Sequence, residues 1–113
     1  MLSIAVVIRE DPRDTHRPVE ALRIALGLST GGNPISIVLL GEAPLLISKD
    51  PEDIVDGDIL EKYLPSLKQL EILFIVPTGT KKKFEIDAGF DVQERDESAI
   101  WSLVSSSDRV LAF

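Results

Sequence analysis

The chain has 113 residues, no cysteine and a formal charge of −7, with 44% hydrophobic and 27% charged residues. That size and balance suit one globular domain over 1-113. The acidic charge disfavours nucleic acid and anionic membrane surfaces, because Lys81-Lys82-Lys83, set beside acidic neighbours, is too small a basic patch to offset it. The missing thiols remove disulfides, thiolate metal ligands and every thiol mechanism.

Ser3 to Ile8 is a continuous, β-branched apolar run, as in a central strand covered on both faces. Arg9 to Thr15 is charged, holds Pro12 and reads as a loop. A helix is predicted from about Pro18, where a missing N–H costs nothing. Val19, Leu22 and Leu26 mark its buried stripe, widened by Ala21, Ile24, Ala25 and Leu28. Gly31-Gly32-Asn33-Pro34 stops it. Ile35 to Leu40 is the second strand, ended by Gly41. Ala43 to Ser48 suits a short helical turn, and Lys49 to Asp58 is an acidic, turn-forming stretch. Leu60, Leu64, Leu67 and Leu70 give Ile59–Leu70 helical spacing, with Pro65 expected to kink that helix or to begin a second one.

Glu71 to Val76 is the third strand, and Pro77-Thr78-Gly79-Thr80 opens a loop. Phe84 to Phe90 is irregular, Val92-Gln93-Glu94 is a short fourth strand, and Asp96 N-caps a helix to Ser106. Arg109 to Phe113 is the fifth strand. Strands alternating with helices predict a three-layer α/β/α domain with a mainly parallel five-stranded sheet. No apolar run approaches the ~20 residues that span a bilayer. The short opening run meets Arg9-Glu10-Asp11 at once, unlike a secretory leader, so the cytoplasm is the expected location.

Thr78-Gly79-Thr80-Lys81 is the candidate binding loop. Ligands of open α/β sheets favour the carboxyl ends of strands, glycine permits close approach, and hydroxyls and lysines suit an anion. The bland alternative is a solvated turn, since phosphate loops normally follow the first strand and hold more glycines. Glu10, Asp11 and Asp14 follow the first strand as in a phospho-acceptor receiver, but Pro77-Thr78 stands where such a site needs an acid, and no lysine follows the fifth strand. They read as a solvated loop paired with Arg9 and Arg13. His16, the sole histidine, has no companion pattern and reads as a surface or capping residue. Asp50, Glu52, Asp53, Asp56 and Asp58 lack calcium-loop spacing, so no metal site is expected. Trp101 is assigned to the core or a subunit interface.

Three features together resemble one family: the opening strand with its proline-containing helix, the Thr-Gly-Thr-Lys-Lys-Lys segment at 78–83, and the ending Ser107-Asp108-Arg109-Val110-Leu111-Ala112-Phe113. The chain resembles the DsrE/DsrF/TusD-like sulfur-relay proteins over nearly its whole length. The resemblance implies the α/β fold with the first strand inside the sheet. It also implies chemistry by a cysteine persulfide, the cysteine falling near Ile75. Isoleucine cannot form a thiolate, so the chain is read as a cysteine-less member. It would be a non-catalytic accessory or structural protein without a cofactor. It would form a homo-oligomer or join a sulfur-relay partner, with Leu45-Leu46-Ile47, Phe84, Phe90 and Trp101 as surface apolar material. The alternative is a small-ligand or anion-binding domain using Thr78–Lys83.

Overall fold

The computed structural model describes residues 2–113. Five strands form one sheet in the order β4-β3-β2-β1-β5: β1 (Ile4–Ile8), β2 (Ile35–Leu39), β3 (Leu73–Pro77), β4 (Asp91–Arg95) and β5 (Arg109–Ala112). Every pairing is parallel. The run read as a central strand is central, and all of β1 is buried. Outer strands are marked by composition too. Asp91-Val92-Gln93-Glu94-Arg95 forms one edge, where charge blunts pairing with other chains.

The helices are α1 (Arg17–Ser29), α2 (Gly57–Gln69), the single turn α3 (Thr80–Lys83) and α4 (Glu97–Ser106), with a short 3-10 helix at Ala43–Ile47. Alternation along each strand separates two faces. On the first, Ile4, Val6, Ile8, Ile37, Leu39, Phe74 and Val76 pack with Val19, Leu22, Leu46, Leu60 and Leu67 from α1, the 3-10 helix and α2. On the second, Val7, Val38 and Ile75 meet Ile100 of α4. The domain is therefore the expected three-layer α/β/α arrangement.

Residues at the helix ends fix the joints. Asp96 caps α4, its carboxylate accepting the Ala99 N–H at 2.8 Å. Asp108 accepts the Ser3 N–H at 2.8 Å, and the carbonyl of Ser3 receives the N–H groups of Asp108 and Arg109. The aspartate in the closing sequence thereby sets the start of β5 against β1.

Several local expectations are corrected. Pro65 neither breaks nor divides α2, which runs unbroken through it. It lies on the exposed side, where water can solvate the carbonyl left without a donor. Glu71 does not begin β3. It adopts φ 54° just past α2, and its N–H donates to the carbonyl of Lys68 while that of Ile72 donates to Leu67. That pairing is a Schellman ending, with buried Ile72 and Leu67 joined in the first-face core. Phe84, Phe90, Leu46 and Ile47, read as surface apolar material, are buried in the chain's own core. Phe90 lies edge-on to Phe74, with ring centroids 5.5 Å apart. The irregular segment before β4 thus folds inward instead of offering a contact surface.

Two stability predictions follow from these joints. A side chain in the left-handed region costs about 1–2 kcal/mol, part of which glycine returns through its larger unfolded-state entropy. Glu71→Gly should therefore raise the urea unfolding free energy by about 0.5–1 kcal/mol, whereas Glu71→Val should lower it. Asp87 accepts the Gly89 N–H and the Lys68 ammonium at 2.8 and 2.9 Å, and Lys68 lies 5.0 Å from the centroid of the Phe90 ring. These bonds, the Gly89 one first, hold the Asp87 carboxyl below its ordinary value. Its contribution is present above the unfolded-state value near 3.8 and is lost as pH falls through the lower folded-state value. Asp87→Asn should cost less than about 1 kcal/mol at pH 7 for so solvated a pair. The gap from the unsubstituted protein should close as pH falls through that lower folded-state value, measured by denaturation across pH.

Candidate functional site

The carboxyl ends of the strands gather the loops that follow β1, β2, β3 and β4. The connection after β3 stays on the first face, where Ile86 and Phe90 pack. The connection after β4 leads into α4 on the second. Neighbouring strands whose connections part to opposite faces leave a crevice between them, the usual ligand position in open α/β sheets.

Thr78, Gly79, Thr80 and Lys81 sit at this crevice. Gly79 has φ 93° and opens α3. A Cβ there would meet nothing within 4 Å, so backbone conformation alone calls for glycine. Thr80 is buried, and its hydroxyl donates to the carbonyl of Pro77 at 2.6 Å. The Thr78 N–H donates to the carbonyl of Arg95 at 3.1 Å. The Lys81 N–H donates to the Glu94 carboxylate at 2.8 Å, and the Lys81 ammonium to the carbonyl of Val92 at 3.3 Å. The Thr78 and Lys81 N–H groups, the Thr80 hydroxyl and the Lys81 ammonium are thus already engaged, the Lys81 N–H by an acid of this chain. A cleft of about 300 Å³ beside the loop is lined by Gly41, Thr78, Gly79, Thr80, Lys83 and Phe84, together with Pro77.

Ion pairs tie the neighbouring loops together. Arg13 forks onto Asp11, with contacts of 2.7 and 3.0 Å, and lies 3.9 Å from Glu42. Glu42 in turn lies 3.3 Å from the Lys83 ammonium. The guanidinium's hydrogen bonds hold the Asp11 carboxyl below its ordinary value. Asp11 pairs with Arg13 as expected, whereas Glu10 pairs with Arg17, at 3.4 Å, instead of Arg9. His16 occupies the N-cap position of α1, exposed and without a side-chain cap bond. Among the described residues, no group of three His, Asp or Glu side chains is placed to hold a metal ion.

Ile75, where the resemblance put the sulfur-carrying residue, is fully buried with Val7, Val38 and Ile100. It is a packing position beneath α4. Glu94 and Glu42 are the site residues that sequence reasoning missed. Glu94 reaches the loop from the neighbouring strand β4 and Glu42 from the connection after β2, and no local pattern announces either contact. Trp101, assigned to the core or a subunit interface, lies outside the chain's own core. It is 53% exposed and, with Leu40, Pro77, Glu97 and Ile100, lines a separate recess on the α4 side of the crevice.

No family model matches the chain, and no curated protein matches it. Among solved structures it is similar to the crystal structure of the ychN protein from E. coli, at 17% identity and a TM-score of 0.78, with all of both chains covered. That likeness supports the DsrE/TusD-like α/β fold that the opening strand, the loop after β3 and the closing sequence had suggested.

Proposed function

We propose that this chain is a non-catalytic DsrE/DsrF-like accessory or structural protein, acting in the cytoplasm by self-association and by binding a partner in intracellular sulfur transfer. The observation that carries the reading is Ile75. The strand that would present sulfur holds an aliphatic side chain sealed beneath α4, in a chain without cysteine. A persulfide carrier needs an accessible thiolate. Association finds its surface at β5, whose outer edge is unpaired and whose Val110 is 46% exposed. The expected result is an oligomer in sedimentation at micromolar concentration, shifted toward monomer by Val110→Arg. Incubation with a persulfide donor should leave the mass of the isolated chain unchanged. A stable gain of one sulfur atom would overturn the non-catalytic reading, and a strict monomer would overturn self-association.

A second reading makes Thr78–Lys83 an anion site, favoured by the cleft beside Gly79, which Lys83 lines, and by Lys81 and Lys82 in the same turn. Glu94 then competes with the ligand for the Lys81 N–H. Glu94→Gln should tighten sulfate or phosphate binding, and replacing the three lysines by alanine should weaken it. Amide NMR shifts at 78–83 are the readout, and the attraction should fade as salt screens it over about 10 Å at 0.1 M. The absence of any saturable shift in the Glu94→Gln variant would remove this reading.

A further inference from the structure

Among the acids at the carboxyl end of the sheet, Asp11, Glu42 and Glu94 are taken up by Arg13, by Lys83 and by the Lys81 N–H. Asp96 is engaged in capping α4. Glu97 is different. It is exposed and joins none of the ion pairs among the described residues. It borders a recess of about 240 Å³ whose other walls are Leu40, Pro77, Ile100 and Trp101. Glu97 and Trp101 are four residues apart on α4, the spacing that puts two side chains on one helix face.

This combination selects a ligand class. The three aliphatic walls favour an apolar body. A cavity of about 150 Å³ holds a benzene ring, so this recess takes an aromatic ring with a short chain. The indole offers an aromatic ring a stacking partner, and the unpaired carboxylate beside it attracts a cation. An anion would meet the Glu97 carboxylate in a protein of charge −7. We propose that the recess between the ends of β2 and β3 and the first turns of α4 binds a small organic ammonium ion of the arylalkylamine class. Its ring lies against Trp101 and Ile100, and its ammonium lies beside Glu97. The site is separate from the Thr78–Lys83 loop and does not depend on how the chain associates through β5.

Trp101 is the only tryptophan, so its fluorescence reports on this recess alone. The test is titration of the full chain with 2-phenylethylammonium, 2-phenylethanol and phenylacetate, which share a ring and differ in charge. The ammonium should give a saturable change at millimolar concentration or below, with the alcohol about fivefold weaker and the carboxylate weaker still. Glu97→Gln should bring the ammonium down to the affinity of the alcohol while leaving the alcohol unaffected. Leu40, Ile100 and Trp101 amide shifts should move with the ammonium in a parallel NMR titration. Equal affinity for all three probes, a preference for the cation that survives in Glu97→Gln, or no saturable change with the ammonium would each overturn the proposal.

Discussion

The architecture hangs on α4. The strand order places β4 and β5 at opposite edges of the sheet, so the connection between them must cross beneath the three strands that separate them. Because β5 is parallel to β4, α4 runs back along the strands and covers the sheet by its width of about 10–12 Å, whereas the four strand spacings span about 19 Å. One helix cannot roof that face. Ile100, Leu103 and Val104 cover its middle over Val7, Val38 and Ile75, while Val110 at the rim stays exposed. The opposite face carries α1, α2 and the 3-10 helix and holds the larger core. The crossover therefore closes the fold and also leaves open the surface through which β5 and the first turns of α4 meet their surroundings.

The carboxyl-end rim is governed by a second constraint, self-neutralisation. The Asp11–Arg13–Glu42–Lys83 chain of contacts links three loops without a buried charge. Each pair is solvated, so its worth lies less in stability than in fixing which charges remain free. An anion approaching the loop after β3 must displace Glu94 from the Lys81 N–H. A cation approaching the first turn of α4 displaces nothing from Glu97.

What the sequence revealed depended on whether the signal was local. The fully apolar Ile4–Ile8 run announced a strand buried on both faces, and Asp96 announced a helix start, because each is written in adjacent residues. Glu71 was legible as strand by its apolar neighbours. Only the Schellman bonds back to Lys68 and Leu67 show that it ends a helix instead. Pro65 was legible as a breaker, and its exposure on α2 decided that it was not. Phe84 and Phe90 lie in a segment without regular spacing, so their burial was invisible in the sequence, and that of Phe90 depends on Phe74 and on Lys68 of α2. The recess at Trp101 was hidden for the same reason. Leu40, Pro77 and Glu97 come from three separate connections that meet only in the folded sheet.

The same geometry bears on sulfur chemistry. A persulfide must be attacked by an incoming thiolate, so its carrier has to stand where another molecule can approach. Side chains alternate along β3. Phe74 and Val76 point to the large core, Ile75 points beneath α4, and all three are fully buried. Replacing Ile75 by cysteine would therefore set a thiol into an apolar interior, where burial raises its pKa and suppresses the thiolate. A thiol at that position would not by itself make a persulfide carrier. Accessibility begins only at Pro77 and Thr78, and there the chain has put a proline whose carbonyl is held by Thr80 and a threonine whose N–H is held by Arg95. The packing beneath α4 and the hydrogen bonding at the strand end, as well as the absence of cysteine, thus each keep β3 from presenting a persulfide.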